Sequence, residues 1–472
     1  MELSELVGLL YRAPSDPVSG DVTETTGGYL GRRRYRIHVG KPGSDRLLRP
    51  RWLLTGYTLS VGENLSVDGR DGVAITAQPR AGLAFAAAHL KWPGLRSGSV
   101  SVARREMGRD LPERITAVVD TELGVLLRCA EFRDDRQIRS WELSITETGA
   151  DADAGTAPPE EDDDNLGFGQ NLAGQALKSV WRFGADAFGS WVAGKISESD
   201  PDADVEEMPP LPPDWPMDDD GPAVSDALLV LLQGSGTREF SATVHEWIDP
   251  QALGWWLQKA ADVSGAGGLG SLGGALDERG PTHKVSGLRY AGPSRYRVDY
   301  VSGHDVEPDT IVCDGESLWR FETDEVTVSP AKALPDDFAD VTDGAWLLKR
   351  ELSSESETEL GGRRAIRFLA RLGPRSEKKP PVMTDVTIDA ELGIPLRIIT
   401  YAPGGPAMQW TELREVTDSA GDLDPDVPPG VRVEHESGDL LVDLGVPEPI
   451  QAALRTTADA ARHFFGQGFG GR

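Results

Sequence analysis

The chain has 472 residues, enough for about three domains, and its 48 basic residues against 77 acidic ones leave a formal net charge of −29. An apolar share of 39% excludes wholesale disorder and allows sizeable cores. No run of about 18 apolar residues exists to span a membrane, two cysteines cannot build a disulfide framework, and no basic patch of useful size supports nucleic-acid binding.

The start, Met1–Pro14, is acidic, with neither a basic nor an apolar signal-like region, so the expected compartment is the cytoplasm. Residues 1–149 then alternate apolar and polar side chains in the period of antiparallel strands. Seven acids lie in Asp151–Asp164 and eleven more in Ser197–Asp226, neither stretch holding Lys or Arg. These read as disordered acidic linkers at 150–166 and 197–223. Between them, at 167–196, Leu172, Ala176, Leu177, Val180, Trp181, Phe188 and Trp191 recur at helical spacing. This Leu172–Val192 helix either covers its own module or binds a partner or a membrane surface. A helix over Ser225–Gln233, capped by Ser225 or Asp226, opens a second strand-rich region at 224–440. Within it Asp314-Gly315 signals a hairpin, Glu391-Leu392-Gly393 a turn, and 447–466 a C-terminal amphipathic helix.

The two strand-rich regions repeat one another. VVDTELGVLLR (118–128) matches TIDAELGIPLR (387–397) without a gap. WLLTGYTLS (52–60) matches WLLKRELSS (346–354), and DGRDGVAI (68–75) matches GGRRAIRF (361–368). Arg34-Tyr35-Arg36 pairs with Arg295-Tyr296-Arg297, and Leu9, Leu10, Ser19 and Val22 pair with Leu231, Leu232, Ser241 and Val244. Matches in one order mark an internal duplication, with the first copy shortened and degenerate. So few helices leave one face of each sheet to be covered by a lid, a partner or a ligand.

Catalytic chemistry has little support. The seven histidines are scattered without metal-ligand spacing, the GAGGLG run at 265–270 lacks the βαβ unit of a dinucleotide site, and there is no nucleophile elbow. The acids of DTELG and DAELG recur at a turn, as fold-determining residues do. No catalytic residue, metal ligand or cofactor is assigned. The twelve tryptophans are either ordinary core or the lining of an apolar cavity under a lid helix. The candidate lining is Leu231, Phe240, Trp247, Tyr296, Val298, Trp319, Trp346 and Trp410.

The order of these motifs resembles the LolA-like lipoprotein-carrier superfamily and its lipid-binding lipoprotein relatives of the LprG and LppX type. Asp314-Gly315 with Leu318-Trp319 falls where that family has its DG-x-x-LW hairpin. Asp389 with Leu392-Gly393 and Pro395-Leu396 falls at its second turn. The likeness covers Ser225–Val433, and Leu9–Glu147 through the duplication. It implies a mainly β (α+β) fold: two tandem curled antiparallel sheets, or unclosed β-barrels, with lid helices. It also implies non-catalytic binding of a lipid or other hydrophobic ligand, as carrier or sensor. Two departures stand out: this chain shows no signal sequence or lipobox cysteine, and Ala291-Gly292 stand where the carriers have a functional Arg. The other reading is a regulatory or scaffold protein whose modules and central helix bind a protein partner.

Overall fold

The structure is a computed structural model, and it describes residues 1–12, 18–26, 32–38, 45–80, 112–148, 221–255, 281–303, 309–372, 382–402 and 405–435. The acidic linkers between 150 and 220, the Leu172–Val192 helix, the 265–270 run and the 447–466 helix lie outside the described residues.

The described strands form two sheets. The first contains β1 (Val18–Thr26), β2 (Arg32–His38), β3 (Tyr57–Val67), β4 (Arg70–Pro79), β5 (Arg114–Asp120), β6 (Leu126–Arg133) and β7 (Arg136–Thr148). Their order across the sheet is β2-β1-β7-β6-β5-β4-β3. The second contains β8 (Phe240–Ile248), β9 (Thr282–Tyr290), β10 (Arg295–Ser302), β11 (Thr310–Asp314), β12 (Ser317–Phe321) and β13 (Glu325–Pro330). It continues with β14 (Glu351–Leu360), β15 (Arg363–Leu372), β16 (Val382–Asp389), β17 (Pro395–Tyr401), β18 (Ala407–Thr417) and β19 (Arg432–His435). Its order is β14-β15-β16-β17-β18-β8-β9-β10-β11-β12-β13-β19.

Read from β14, the first seven strands of the second sheet run in the same order as the first sheet read from β3. β8 and β9 therefore stand where β1 and β2 stand, and β10–β13 with β19 extend the second sheet beyond that point. Every pairing is antiparallel except β13 with β19. The sequence match of Arg34–Arg36 to Arg295–Arg297 is one strand out, because topology sets β2 against β9 and leaves β10 without a counterpart. Two strands with the same Arg–apolar alternation are interchangeable by composition, and only neighbours distinguish them.

The repeated turn is built identically in both sheets. Asp120 Oδ1 accepts the backbone N–H groups of Glu122 and Leu123 at 2.9 Å, and Asp389 Oδ1 those of Glu391 and Leu392 at 2.8 Å. The second carboxylate oxygen pairs with Arg70 in one turn and Arg363 in the other. Gly124 and Gly393 follow at φ +69° and +72°, the left-handed region that favours glycine. These acids hold a turn, as expected of fold-determining residues.

The helices that accompany the sheets include α1 (Leu3–Arg12), α2 (Asp45–Leu48), α3 (Arg51–Gly56), α4 (Asp226–Gly234) and α5 (Asp336–Thr342), together with a 3-10 turn at Gly344–Lys349, and residues 250–255 are also helical. Ser225 caps α4 as the sequence predicts, its hydroxyl accepting from Leu228 N at 3.2 Å. α1 precedes β1 and α4 precedes β8; α3 precedes β3 and the 3-10 turn precedes β14.

Candidate functional site

A half-barrel offers its enclosed face to a ligand, so the decisive question is what fills that face. α1 packs against α4, and α3 against the 3-10 turn. Leu6, Leu10, Leu53, Leu54, Leu228, Leu232 and Leu348 are fully buried in one cluster, which also takes Val73, Ile115 and Val119 from the first sheet and Phe368, Val386 and Ile388 from the second. The helices thus lie between the sheets and share one core. The cover that the sequence demanded for each sheet is supplied by the chain's own helices, which pack on the sheets and, between the two halves, on one another.

Polar contacts tie this junction. The Tyr11 hydroxyl donates to Arg350 O and accepts from Leu352 N, both at 2.8 Å. Gln233 Nε2 donates to Tyr57 O at 3.1 Å. Tyr11 ends α1 and reaches the start of β14; Gln233 ends α4 and reaches the start of β3. The exchange is reciprocal, as across the two-fold axis of a symmetric dimer. Arg80, buried, donates to the carbonyls of Gln233 (2.6 Å) and Ser235 and to Asp343 (3.1 Å). Arg12 pairs with Asp226 at 2.7 Å. Burial raises the Tyr11 hydroxyl above its ordinary pKa against the nearby Arg51, and burial pushes Arg350 down to about 10.

The eight residues expected to line a cavity occupy separate clusters. Leu231 packs on the shared core, and Trp346 packs on both that core and the next. Phe240, Tyr296 and Val298 lie in a second cluster on the same face of the large sheet, covered by Leu334, Phe338 and Val341 at or near α5. Tyr296 donates to Lys332 O or Ala333 O, at 3.2 and 3.1 Å, and burial raises its hydroxyl pKa. Trp319 is half-buried and donates from Nε1 to Asp314 Oδ2 at 3.0 Å, locking the Asp314-Gly315 hairpin.

Trp247 and Trp410 lie on the opposite face. β8 buries Phe240, Ala242 and Val244 on one side, and Trp247 falls in the odd register. Trp247 stacks on His283 with ring centroids 4.5 Å apart, and His245 Nδ1 is 3.1 Å from His283 Nε2. Arg414 sits over Trp247 and Arg397 over Trp410. Asp385, on that same face, is buried; burial raises its carboxyl pKa against the pairing with Arg367. The tryptophans alone could not reveal which face they took, since that is fixed by register.

Among the described residues no group of three or more His, Cys, Asp or Glu is arranged to hold a metal ion. Cys129 and Cys313 are buried and unbridged, and burial raises the Cys313 thiol. No described helix is long and apolar enough to cross a membrane.

A polar groove of about 630 Å³ lies on the outer side of the first sheet. Strand alternation brings Arg32, Arg34 and Arg36 of β2 to it together, with Arg128 of β6 beside them, above Asp21 and Glu142. The groove is of mixed charge: strand periodicity gathers Arg32, Arg34 and Arg36, cross-strand register adds Arg128, and Asp21, Asp68 and Glu142 line it with them. The run RRRYR at strand spacing was the available signal.

No protein-family model matches the chain, and no curated protein sequence matches it. Solved structures similar to it include an uncharacterised conserved protein from Thermus thermophilus, at 13% identity over 44% of this chain and 97% of that one, with a TM-score of 0.25. MucB is similar at 15% identity over 44% of this chain and 64% of its own, with a TM-score of 0.26. A LolA superfamily protein from Nitrosomonas europaea is similar at 10% identity over 42% and 94%, with a TM-score of 0.17. The chain forms two unclosed sheets, antiparallel but for β13 with β19, with helices on their enclosed faces, and the solved structures similar to it include a LolA superfamily protein and MucB.

Proposed function

We propose that this chain is a non-catalytic binding protein made of two copies of one LolA-like unit closed on each other, and that it acts through contacts to another protein. One observation carries the reading. The enclosed faces are filled by the chain's own helices, with Leu10, Leu54, Leu228 and Leu232 fully buried between the sheets. A hydrophobic ligand entering there would have to displace that core, which costs its packing. The equal strand orders and the duplicated Asp120 and Asp389 turns support the two-copy origin.

Native mass spectrometry of the full chain, purified without solvent extraction, tests the choice. The expected spectrum is the bare chain, alone or with a protein partner; a stoichiometric lipid adduct would overturn the proposal.

A second reading, carriage of a lipid or other apolar ligand, is favoured by one specific feature. The cluster holding Phe240, Tyr296 and Val298 is covered by the seven-residue α5 and the segment before it, a small element to lift. That reading predicts the adduct, and predicts its loss in Val298→Trp, which fills the space that lifting α5 would open.

A further inference from the structure

The strand order of the two sheets differs at one place that matters for binding. In the second sheet β9 is flanked on its outer side by β10, paired from Tyr290 to Val285. In the first sheet the strand in the same position, β2, is the outermost one among the described residues. An outermost strand is a template for another extended segment. This one is exposed along Arg32–Arg36, with Tyr35 41% accessible.

Its chemistry selects the guest. Arg32, Arg34 and Arg36 project to the groove side and Arg33 to the other, and β2 contains no acid; Arg36 pairs with Glu147 of β7 at 3.0 Å, which leaves Arg32 and Arg34 to meet a guest. A second copy of the chain is a poor guest, because antiparallel pairing about Tyr35 sets Arg34 opposite Arg36, and like charges facing across strands repel. A nucleic-acid strand lying in the groove would meet Asp21 and Glu142 on its floor. An added peptide strand avoids them: it lies about 4.8 Å outside β2, facing the arginine row and one strand further from Asp21.

We propose that β2 accepts an acidic, extended segment of a protein partner by strand addition, its alternate Glu or Asp side chains facing Arg32 and Arg34. This deepens the protein-binding reading above and rests on it. Native mass spectrometry tests that reading and peptide titration tests this one, so either can fail alone.

The probe is a fluorescein-labelled heptapeptide with Glu at alternate positions and Thr or Val between, titrated onto the full chain by fluorescence anisotropy. Saturable binding is expected, weakened about tenfold or more by the double substitution R32E/R34E and unchanged by R364E, an exposed charge reversal on the other sheet. The same peptide N-methylated at alternate amides keeps its charge but loses strand hydrogen bonds, and should bind at least tenfold more weakly. Equal binding of the N-methylated peptide, equal competition by a DNA oligonucleotide of the same length, or no binding at all would overturn the proposal. Binding that emerges only after deletion of residues 151–164 would overturn the choice of a partner protein and assign the strand to this chain's own acidic segment.

Discussion

Tyr11 and Leu352 belong to different halves of the chain and are 341 positions apart, yet the hydroxyl of one accepts the backbone N–H of the other at 2.8 Å. The same hydroxyl donates to Arg350 O, so one side chain satisfies the backbone on both sides of the 3-10 turn's exit into β14. Removing it leaves a buried N–H and C=O without their partner. Tyr11→Phe should therefore cost about 1–3 kcal/mol, read as a lower urea midpoint at unchanged slope.

Sharing of one core by α1, α3, α4 and the 3-10 turn makes a statement about cooperativity. If the halves were independent, each would unfold at its own midpoint. A common core predicts coincident transitions by tryptophan fluorescence and far-ultraviolet circular dichroism. Leu232→Ala, in α4, should cost about 2–5 kcal/mol and speed amide exchange in β3 as well as in β14. Acceleration confined to β14 would contradict the shared core.

Asp120 gives a pH dependence with a defined sign. Burial opposes its charge, but Arg70 and the N–H groups of Leu123 and Glu122 outweigh that, holding its carboxyl below the ordinary value of 3.8. A carboxyl held lower in the folded chain than in the unfolded one adds stability above the unfolded value. That stability is lost as pH falls through the folded value. The wild-type chain should lose urea resistance as pH drops below about 4, and Asp120→Asn should flatten that part of the profile while lowering stability at neutral pH.

The turn acids also separate structure from chemistry. Asp389 binds two backbone N–H groups and Arg363, whereas Glu391 is exposed. Asp389→Ala should cost about 1–3 kcal/mol and Glu391→Ala stay within about 0.5 kcal/mol, measured by thermal or urea unfolding.

Much of the fold was legible because it is local. Period-two alternation marked the strands, Ser225 marked its helix, and Asp314-Gly315 and Asp389–Gly393 marked their turns, since each is fixed by φ, ψ or a hydrogen bond within a few residues. The matched segments fall in one order, and the equal order of seven strands in the two sheets agrees with it. The expected cavity residues were less legible. Phe240 and Trp247 are seven positions apart on one strand, so alternation separates them where composition grouped them, but which face meets which cluster is set by the neighbouring strands.

By itself the sequence determined that this chain is strand-rich, twofold repetitive and turned at the same Asp-x-x-Leu-Gly sites, because those properties depend on neighbours along the chain. Only the tertiary structure decided what covers the two sheets and where charge collects. Tyr11 meeting Leu352, and Arg128 joining the arginine row of β2, are contacts between residues remote in sequence. Their placement follows from strand order and register, which set the packing of whole faces and which no local pattern encodes.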